Sequence, residues 1–235
     1  MIWVRSLLFS AAFYLWSATL AILMLPLLVF PRRFIVGGFK VWSRGLIFLL
    51  RTICGVKVEV RGAEHVPQGP GLIAAKHQCM LDTMALWDMM PDCAYVTKKE
   101  LLMIPVYGWY VIKSGMLVVD REGHAAALKK LVREAQVALG QNRQVLIFPE
   151  GTRTPPGEPG SYKPGVAALY RELAVPCTPM ATNSGVHWPA HGFLRRPGVI
   201  VYEFLPPIPA GLRRGEFMRE LEARIETAST ALLGL

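Results

Sequence analysis

A histidine and an aspartate stand five residues apart in the stretch Lys76–Thr83, KHQCMLDT. The apolar run Leu72–Ala75 ahead of them reads as a buried strand, and Thr83–Trp87 behind them as a helix. On one continuous helix such a spacing turns two side chains about 140° apart. They meet only if His77 lies in the loop and Asp82 in the first helical turn. So arranged, they form an imidazole base with its orienting carboxylate. A neutral histidine, whose ordinary pKa is about 6.5, can take a proton from an alcohol at neutral pH. The carboxylate then fixes the ring tautomer and steadies the imidazolium as it forms. Apart, the two are merely polar residues at a turn.

A second polar group follows another apolar run, in Val145–Arg153, VLIFPEGTR. The strand stops at Pro149, and Glu150, Gly151, Thr152 and Arg153 then place an acid, a permissive backbone, a hydroxyl and a base side by side. One reading is a polar turn with a Glu–Arg pair. The other is a cradle in which Glu150 accepts a substrate hydroxyl, amides near Gly151 approach an anion and Arg153 binds phosphate. Lys98, with Lys99, and Arg121 also close apolar runs; each alone reads as a solvated or paired surface group, and the alternative is that together they form a cationic phosphate site. No GxSxG elbow occurs, and Ser114, Ser161 and Ser184 have no nucleophile context. A base without an enzymic nucleophile implies that the substrate's own hydroxyl attacks. The electrophile is then an activated acyl group such as a thioester, a chemistry that needs no metal or other cofactor. His187 and His191 are four apart, but Pro189 and Gly192 oppose a helix between them, and they read as loop histidines.

These residues need a scaffold that brings strand ends together. Val56–Val60, Gly71–Lys76, Ala94–Thr97, Met116–Val119, Val145–Phe148, Cys177–Ala181 and Val199–Phe204 read as strands. Helical periodicity marks 82–90, 123–139, 163–173 and 214–232, with a short helix within 101–113. The alternation predicts an α/β fold, a mostly parallel sheet flanked by helices, in a domain spanning 56–235. Ligands of such sheets bind beyond the carboxyl ends of the strands, where His77, Arg121 and Glu150 all fall.

The front of the chain differs. Hydrophobic residues make up 52% of the 235, and the net charge is +9. From Ser6 to Phe30 no residue is charged, a run of 25. As a helix it extends roughly 37 Å, enough to cross a bilayer core of about 30 Å. Arg32, Arg33, Lys40, Arg44 and Arg51 follow, and no acid precedes Glu59. That bias places the downstream side on the cytoplasmic face of a membrane. Residues 34–55 suit a helix in the headgroup region, its basic chains reaching lipid phosphates. Residues 1–55 are thus expected as an N-terminal membrane-embedded helical segment, either spanning or dipping and returning at Pro26 and Pro31. Cations in apolar context disfavour nucleic acid as a partner. The four cysteines form no CxxC pair, which argues against a zinc cluster or a disulfide framework.

Four stretches in this order resemble the motif blocks of the glycerolipid acyltransferases, nearest the 1-acylglycerol-3-phosphate branch: His77-x4-Asp82, GMLVVDR ending at Arg121, FPEGTR at 148–153, and VPCTPMATNSG at 175–185. The resemblance covers roughly residues 56–205. It implies acyl transfer from acyl-CoA or acyl-carrier protein to the free hydroxyl of lysophosphatidic acid, giving phosphatidic acid at a lipid membrane. It also implies His77 as base, Asp82 as its orienter, Arg121 and Arg153 as phosphate ligands and Glu150 as a glycerol contact. Lys76 and Cys79 depart from the family pattern, which leaves other lysolipids, such as lyso-ornithine lipid, as alternative acceptors. A lipid-binding module without catalysis is the non-enzymatic alternative. Within the fourth block, Met180–Ser184 is expected to line the acyl or donor side of the cleft, or else to be a buried strand with a turn.

Overall fold

The computed structural model describes residues 1–120 and 124–234. It opens with helix α1 (Ile2–Leu23), a short 3-10 turn and helix α2 (Arg32–Leu49) extended by a π turn to Cys54. Seven strands follow: β1 (Val56–Arg61), β2 (Gly71–Ala75), β3 (Cys93–Lys98), β4 (Leu117–Val119), β5 (Gln144–Ile147), β6 (Cys177–Thr182) and β7 (Gly198–Phe204). Between and after them come α3 (Leu81–Met89), α4 (Tyr107–Lys113), α5 (His124–Gly140), α6 (Pro164–Leu173), α7 (Ser184–His187) and α8 (Arg214–Ala231). Each strand expected from its apolar run is present, shifted by no more than a residue at either end.

The strands form one sheet in the order β1-β7-β6-β2-β5-β3-β4. All pairings are parallel except β6 with β7. The carboxyl ends of β6, β2, β5, β3 and β4 therefore share an edge, and the loops leaving them are neighbours. Alternation along β2 divides the core. Ile73 and Ala75 face a layer holding α1–α4, whereas Leu72 and Ala74 face α5, α6 and α8 through Leu131, Val166 and Phe217.

α1 is apolar all round, yet much of it is exposed, including Leu8, Leu15 and Ile22. A helix of that composition is ordinarily buried in protein or in lipid. It ends before Pro26, which lacks the N–H that another turn would need. The chain then folds back as α2, and the indoles lock the pair: Trp16 Nε1 donates to Trp42 O at 3.1 Å and Trp42 Nε1 to Ser17 Oγ at 3.0 Å. Both ends of α1 are fastened to the same body. Near its start, Ser6 Oγ accepts Arg195 N–H at 2.8 Å and Phe9 meets Trp188 edge-on at 5.5 Å. Near its finish, Tyr110 O–H donates to Ala21 O at 2.5 Å.

α2 departs from its expected role. Ile35, Phe39 and Leu46 recur at helical spacing and pack, fully or nearly buried, in the same core as Ile73 and Leu146 of the sheet. The core thus runs unbroken across residue 55. Three of its cations are tied to the protein, while Arg33 and Arg51 are exposed: Arg32 forks onto Asp92 at 2.7 and 2.6 Å, Arg44 meets Asp88 at 2.7 Å, and Lys40 donates to Met90 O at 2.9 Å.

Candidate active site

β2 ends at Ala75, and the loop Lys76–Met80 turns back beneath the first turn of α3. Asp82, the second residue of that helix, is fully buried and reaches into the loop. Its Oδ2 accepts the N–H groups of Gln78 at 2.7 Å and Cys79 at 2.8 Å and lies 3.1 Å from His77 Nδ1. Its Oδ1 accepts the Tyr202 hydroxyl at 3.1 Å. Two residues five apart meet because one carboxylate gathers the loop around itself. Burial alone would raise the Asp82 carboxyl, but the His77 hydrogen bond and charge and the Cys79 amide outweigh it, so Asp82 lies below its usual range. An ionised partner on Nδ1 holds that nitrogen's proton and leaves Nε2 as the basic atom. The imidazole stacks on Phe148, centroids 4.2 Å apart, with 14% of the side chain open.

Cys79 lies beside the pair, its Sγ 3.6 Å from Asp82 Oδ1. Burial first, then the Asp82 charge, pushes its thiol well above the ordinary range, so it stays protonated and is no nucleophile.

Glu150 departs from the expected glycerol contact. Its side chain is fully buried, and both oxygens are engaged within the protein. Oε1 accepts from Lys76 Nζ at 2.6 Å and Thr154 Oγ1 at 2.5 Å, and Oε2 from His77 N–H at 3.0 Å. Thr154 N–H in turn donates to His77 O at 2.8 Å, so the loop after β5 grips the His77 backbone on both sides. Gly151, at φ 67°, makes the turn that allows this grip. Lys76, one of the two departures from the family pattern, is 1% exposed. Its ammonium also contacts Glu226 Oε1 and Oε2 of α8 at 2.8 and 2.9 Å and Glu158 O at 3.3 Å. Tyr162 O–H closes the network on Glu226 at 2.9 Å.

Thr152 and Arg153 are exposed on the same loop. Arg153 Nη1 donates to Ala190 O at 3.1 Å, and the side chain borders a cavity of about 430 Å³ that Met80, Trp188 and Tyr14 also line. Lys98 ends β3 on the same sheet edge, exposed, with β5 between β3 and β2, and does not reach that cavity. Arg121 lies outside the described residues. The expected lining residues Met180–Ser184 are buried in the sheet and its turn, where Asn183 bridges Val199 O, Val201 N–H and Leu232 O. His187 is buried against Arg196 O on α7, and among the described residues no three His, Cys, Asp or Glu gather as for a metal.

Sequence reasoning missed Tyr202, Glu226 and Arg195, each of which reaches the site region from more than 100 residues away in the chain. Nothing local to them signals it.

A mixed α/β sheet with a buried aspartate hydrogen-bonded to a loop histidine at a strand end defines a class, an α/β fold with a polar site at the carboxyl edge of its sheet. Comparison with known proteins gives the family. The family model described as "Acyltransferase" matches residues 57–183. A 1-acyl-sn-glycerol-3-phosphate acyltransferase of Pseudomonas aeruginosa is 36% identical over 222 residues, 94% of this chain and 85% of the other. A 1-acyl-sn-glycerol-3-phosphate acyltransferase alpha of Mus musculus is 34% identical over 75% of this chain and 62% of its own length. The crystal structure of the 1-acyl-sn-glycerophosphate acyltransferase PlsC of Thermotoga maritima superposes with a TM-score of 0.84, covering 100% of this chain and 99% of that one at 20% identity, a likeness of fold. The chain belongs to the acyltransferase family and is an enzyme of acyl transfer.

Proposed function

We propose that the enzyme acylates the sn-2 hydroxyl of lysophosphatidic acid, using acyl-CoA or acyl-carrier protein as donor, and releases phosphatidic acid. The observation that carries this reading is the 3.1 Å contact between His77 and a buried, ionised Asp82 on a loop that leads directly to Met80 at the cavity wall. His77 Nε2 removes the proton of the acceptor hydroxyl as its oxygen bonds to the thioester carbon. The tetrahedral oxyanion collapses, the C–S bond breaks, and the imidazolium returns the proton to the leaving thiolate. The products are one ester and one thiol. The step balances with the donor as a substrate and needs no resident cofactor. Arg153 on the cavity rim supports phosphate recognition, as does the activity named for the relatives. The resemblance assigns Arg121 to the same duty. Glu150, Gly151 and Thr152 act on the acceptor indirectly, by shaping the loop that carries Arg153 and by holding His77. Lys98 takes no part in this reading beyond adding positive charge at the sheet edge.

Membrane attachment follows from α1. Its outward face and the exposed side chains Trp109 and Ile112 of α4 give the lipid an apolar surface. The return of both ends of α1 to the domain supports a hairpin that dips into one leaflet, and the cationic front supports the cytoplasmic side for that leaflet.

Purified enzyme, a labelled acyl donor and a panel of lysolipid acceptors test the reading. Lysophosphatidic acid should be acylated in preference to lysophosphatidylcholine and lyso-ornithine lipid, and His77→Ala should lower turnover by about 10²-fold or more. Preference for another head group would reassign the acceptor. Near-normal turnover by the variant would remove the base.

A further inference from the structure

Arg195 is a buried cation that the mechanism leaves unused. It sits in the segment after α7, 7% exposed, and lines the cavity that Arg153 borders. Its Nη1 donates to Gly192 O at 3.3 Å and Leu194 O at 3.1 Å, while its Nε has no hydrogen-bond partner. The guanidinium lies 4.0 Å over the Trp188 ring, and among the described residues no carboxylate lies within ion-pair range of it. Elsewhere the enzyme neutralises its buried cations: Lys76 holds two carboxylates and Arg143 holds Asp92. Burial draws the Arg195 pKa down to about 10, which still leaves a full positive charge at neutral pH. An uncompensated charge in an aromatic wall is costly unless an anion completes it.

We propose that Arg195 is the second arm of a phosphate site whose first arm is Arg153, and that the pair selects a single-chain lipid bearing a phosphomonoester. The inference rests on the acceptor reading above and names how the head group is recognised. Two guanidinium groups match a phosphomonoester, which carries a charge of about −1.5 to −2 at neutral pH, better than a singly charged diester. Leu7 and Tyr14 of α1 form the cavity's other wall, so the helix that meets lipid also borders the head-group site. That geometry favours a ligand arriving from the membrane over a soluble donor. Arg195 is held in place by its own backbone, whose N–H donates to Ser6 Oγ of α1 at 2.8 Å.

The test uses this enzyme in non-ionic micelles with Arg195→Met, which keeps an unbranched apolar stem, and Arg195→Lys, which keeps the charge without the fork. The KM for lysophosphatidic acid should rise about tenfold or more in Arg195→Met and severalfold in Arg195→Lys, with kcat changed less than KM. The kcat/KM for 1-acylglycerol, which lacks phosphate, should stay near the wild-type value. A rise confined to the KM of acyl-CoA and absent with an acyl-pantetheine donor would place the anion on the donor and overturn the proposal. So would equal losses with every acceptor, the mark of a structural strut. Calorimetric titration with tetradecyl phosphate separates this site from the reaction. Wild type should bind it more tightly than Arg195→Met does, and equal binding overturns the site. If wild type fails to acylate lysophosphatidic acid, the acceptor reading falls, and the tetradecyl phosphate titration alone decides the site. Should Arg195→Met fail to fold, the same titration and KM on Arg195→Lys decide it.

Discussion

Replacing Lys76 by methionine removes the one cation that serves two carboxylates at the centre of the site. The ammonium lies 2.6 Å from Glu150 and 2.8 Å from Glu226, and its own side chain is 1% exposed. At an effective dielectric of about 20, the shorter contact alone represents about 6 kcal/mol of gross attraction, most of it spent on desolvating the partners. Methionine fills a similar volume but leaves Glu150 without its cation at 0% exposure, whereas Glu226 at 21% retains some water. Breaking a buried pair from one side costs about 3–5 kcal/mol, and Glu150 should account for most of that here. The loss should propagate to the histidine, because Glu150 Oε2 accepts His77 N–H at 3.0 Å. The double variant Lys76→Met/Glu150→Gln removes both charges while an amide oxygen can still accept the His77 N–H. It should regain about half or more of the stability lost by Lys76→Met, since a neutral pair carries no desolvation debt. Urea unfolding in micelles, followed by tryptophan emission, measures all four corners of the cycle, and turnover is recorded alongside. A cost below about 1 kcal/mol for Lys76→Met, in the range of a surface pair, would refute the buried network, as would a double variant no better than the single one.

Three further outcomes can be measured independently. A Cβ at Gly160 would lie 2.4 Å from Glu150 Oε1 and 2.7 Å from its Cγ, so Gly160→Ala should displace the carboxylate and lower turnover by about tenfold while secondary structure by circular dichroism persists; unchanged turnover would mean that Glu150 does not hold His77. Asp82 lies below its usual range in the folded enzyme, so its stabilisation is complete above the unfolded-state pKa of about 3.9 and is lost as pH falls through the lower folded value; Asp82→Asn should flatten the acid limb of the stability–pH curve and cut kcat by roughly 10²–10⁴-fold, and an unaltered acid limb would contradict the assignment. Leu8 and Leu15 are 58% and 70% exposed on α1, so Leu8→Glu/Leu15→Glu should shift the enzyme from sedimenting vesicles into the supernatant without lowering its unfolding midpoint; unchanged sedimentation would show that α1 does not meet lipid.

Much of the scaffold could be read locally, because strand and helix each leave a period in the chain. Leu72–Ala75 and Val145–Ile147 are continuous apolar runs, and the parallel sheet buries both faces of them. The His77–Asp82 pairing was legible because it depends only on where a loop gives way to a helix. Glu150 was misjudged for the opposite reason. Its partner Lys76 is 74 residues away, and Glu226 is 150 residues from Lys76, separations that leave no local pattern. A charged residue in a polar stretch looks solvated until the fold shows who sits opposite. Arg44 and Arg32 of α2 could not be paired locally either, since Asp88 and Asp92 lie in a different segment.

The anchoring of Ser6 to Arg195 has a consequence for how the chain is made. The two residues are 189 positions apart, so α1 leaves the ribosome long before its docking partners exist. At about 5–20 residues per second, that interval lasts roughly 10–40 s. Throughout it, an apolar helix of 22 residues has no protein surface to cover the face that Trp188 and Arg195 later occupy. Nascent chains must therefore be sheltered by lipid or by a holding factor from the start, and the cavity between α1 and the 188–195 segment is among the last parts of the enzyme to be completed.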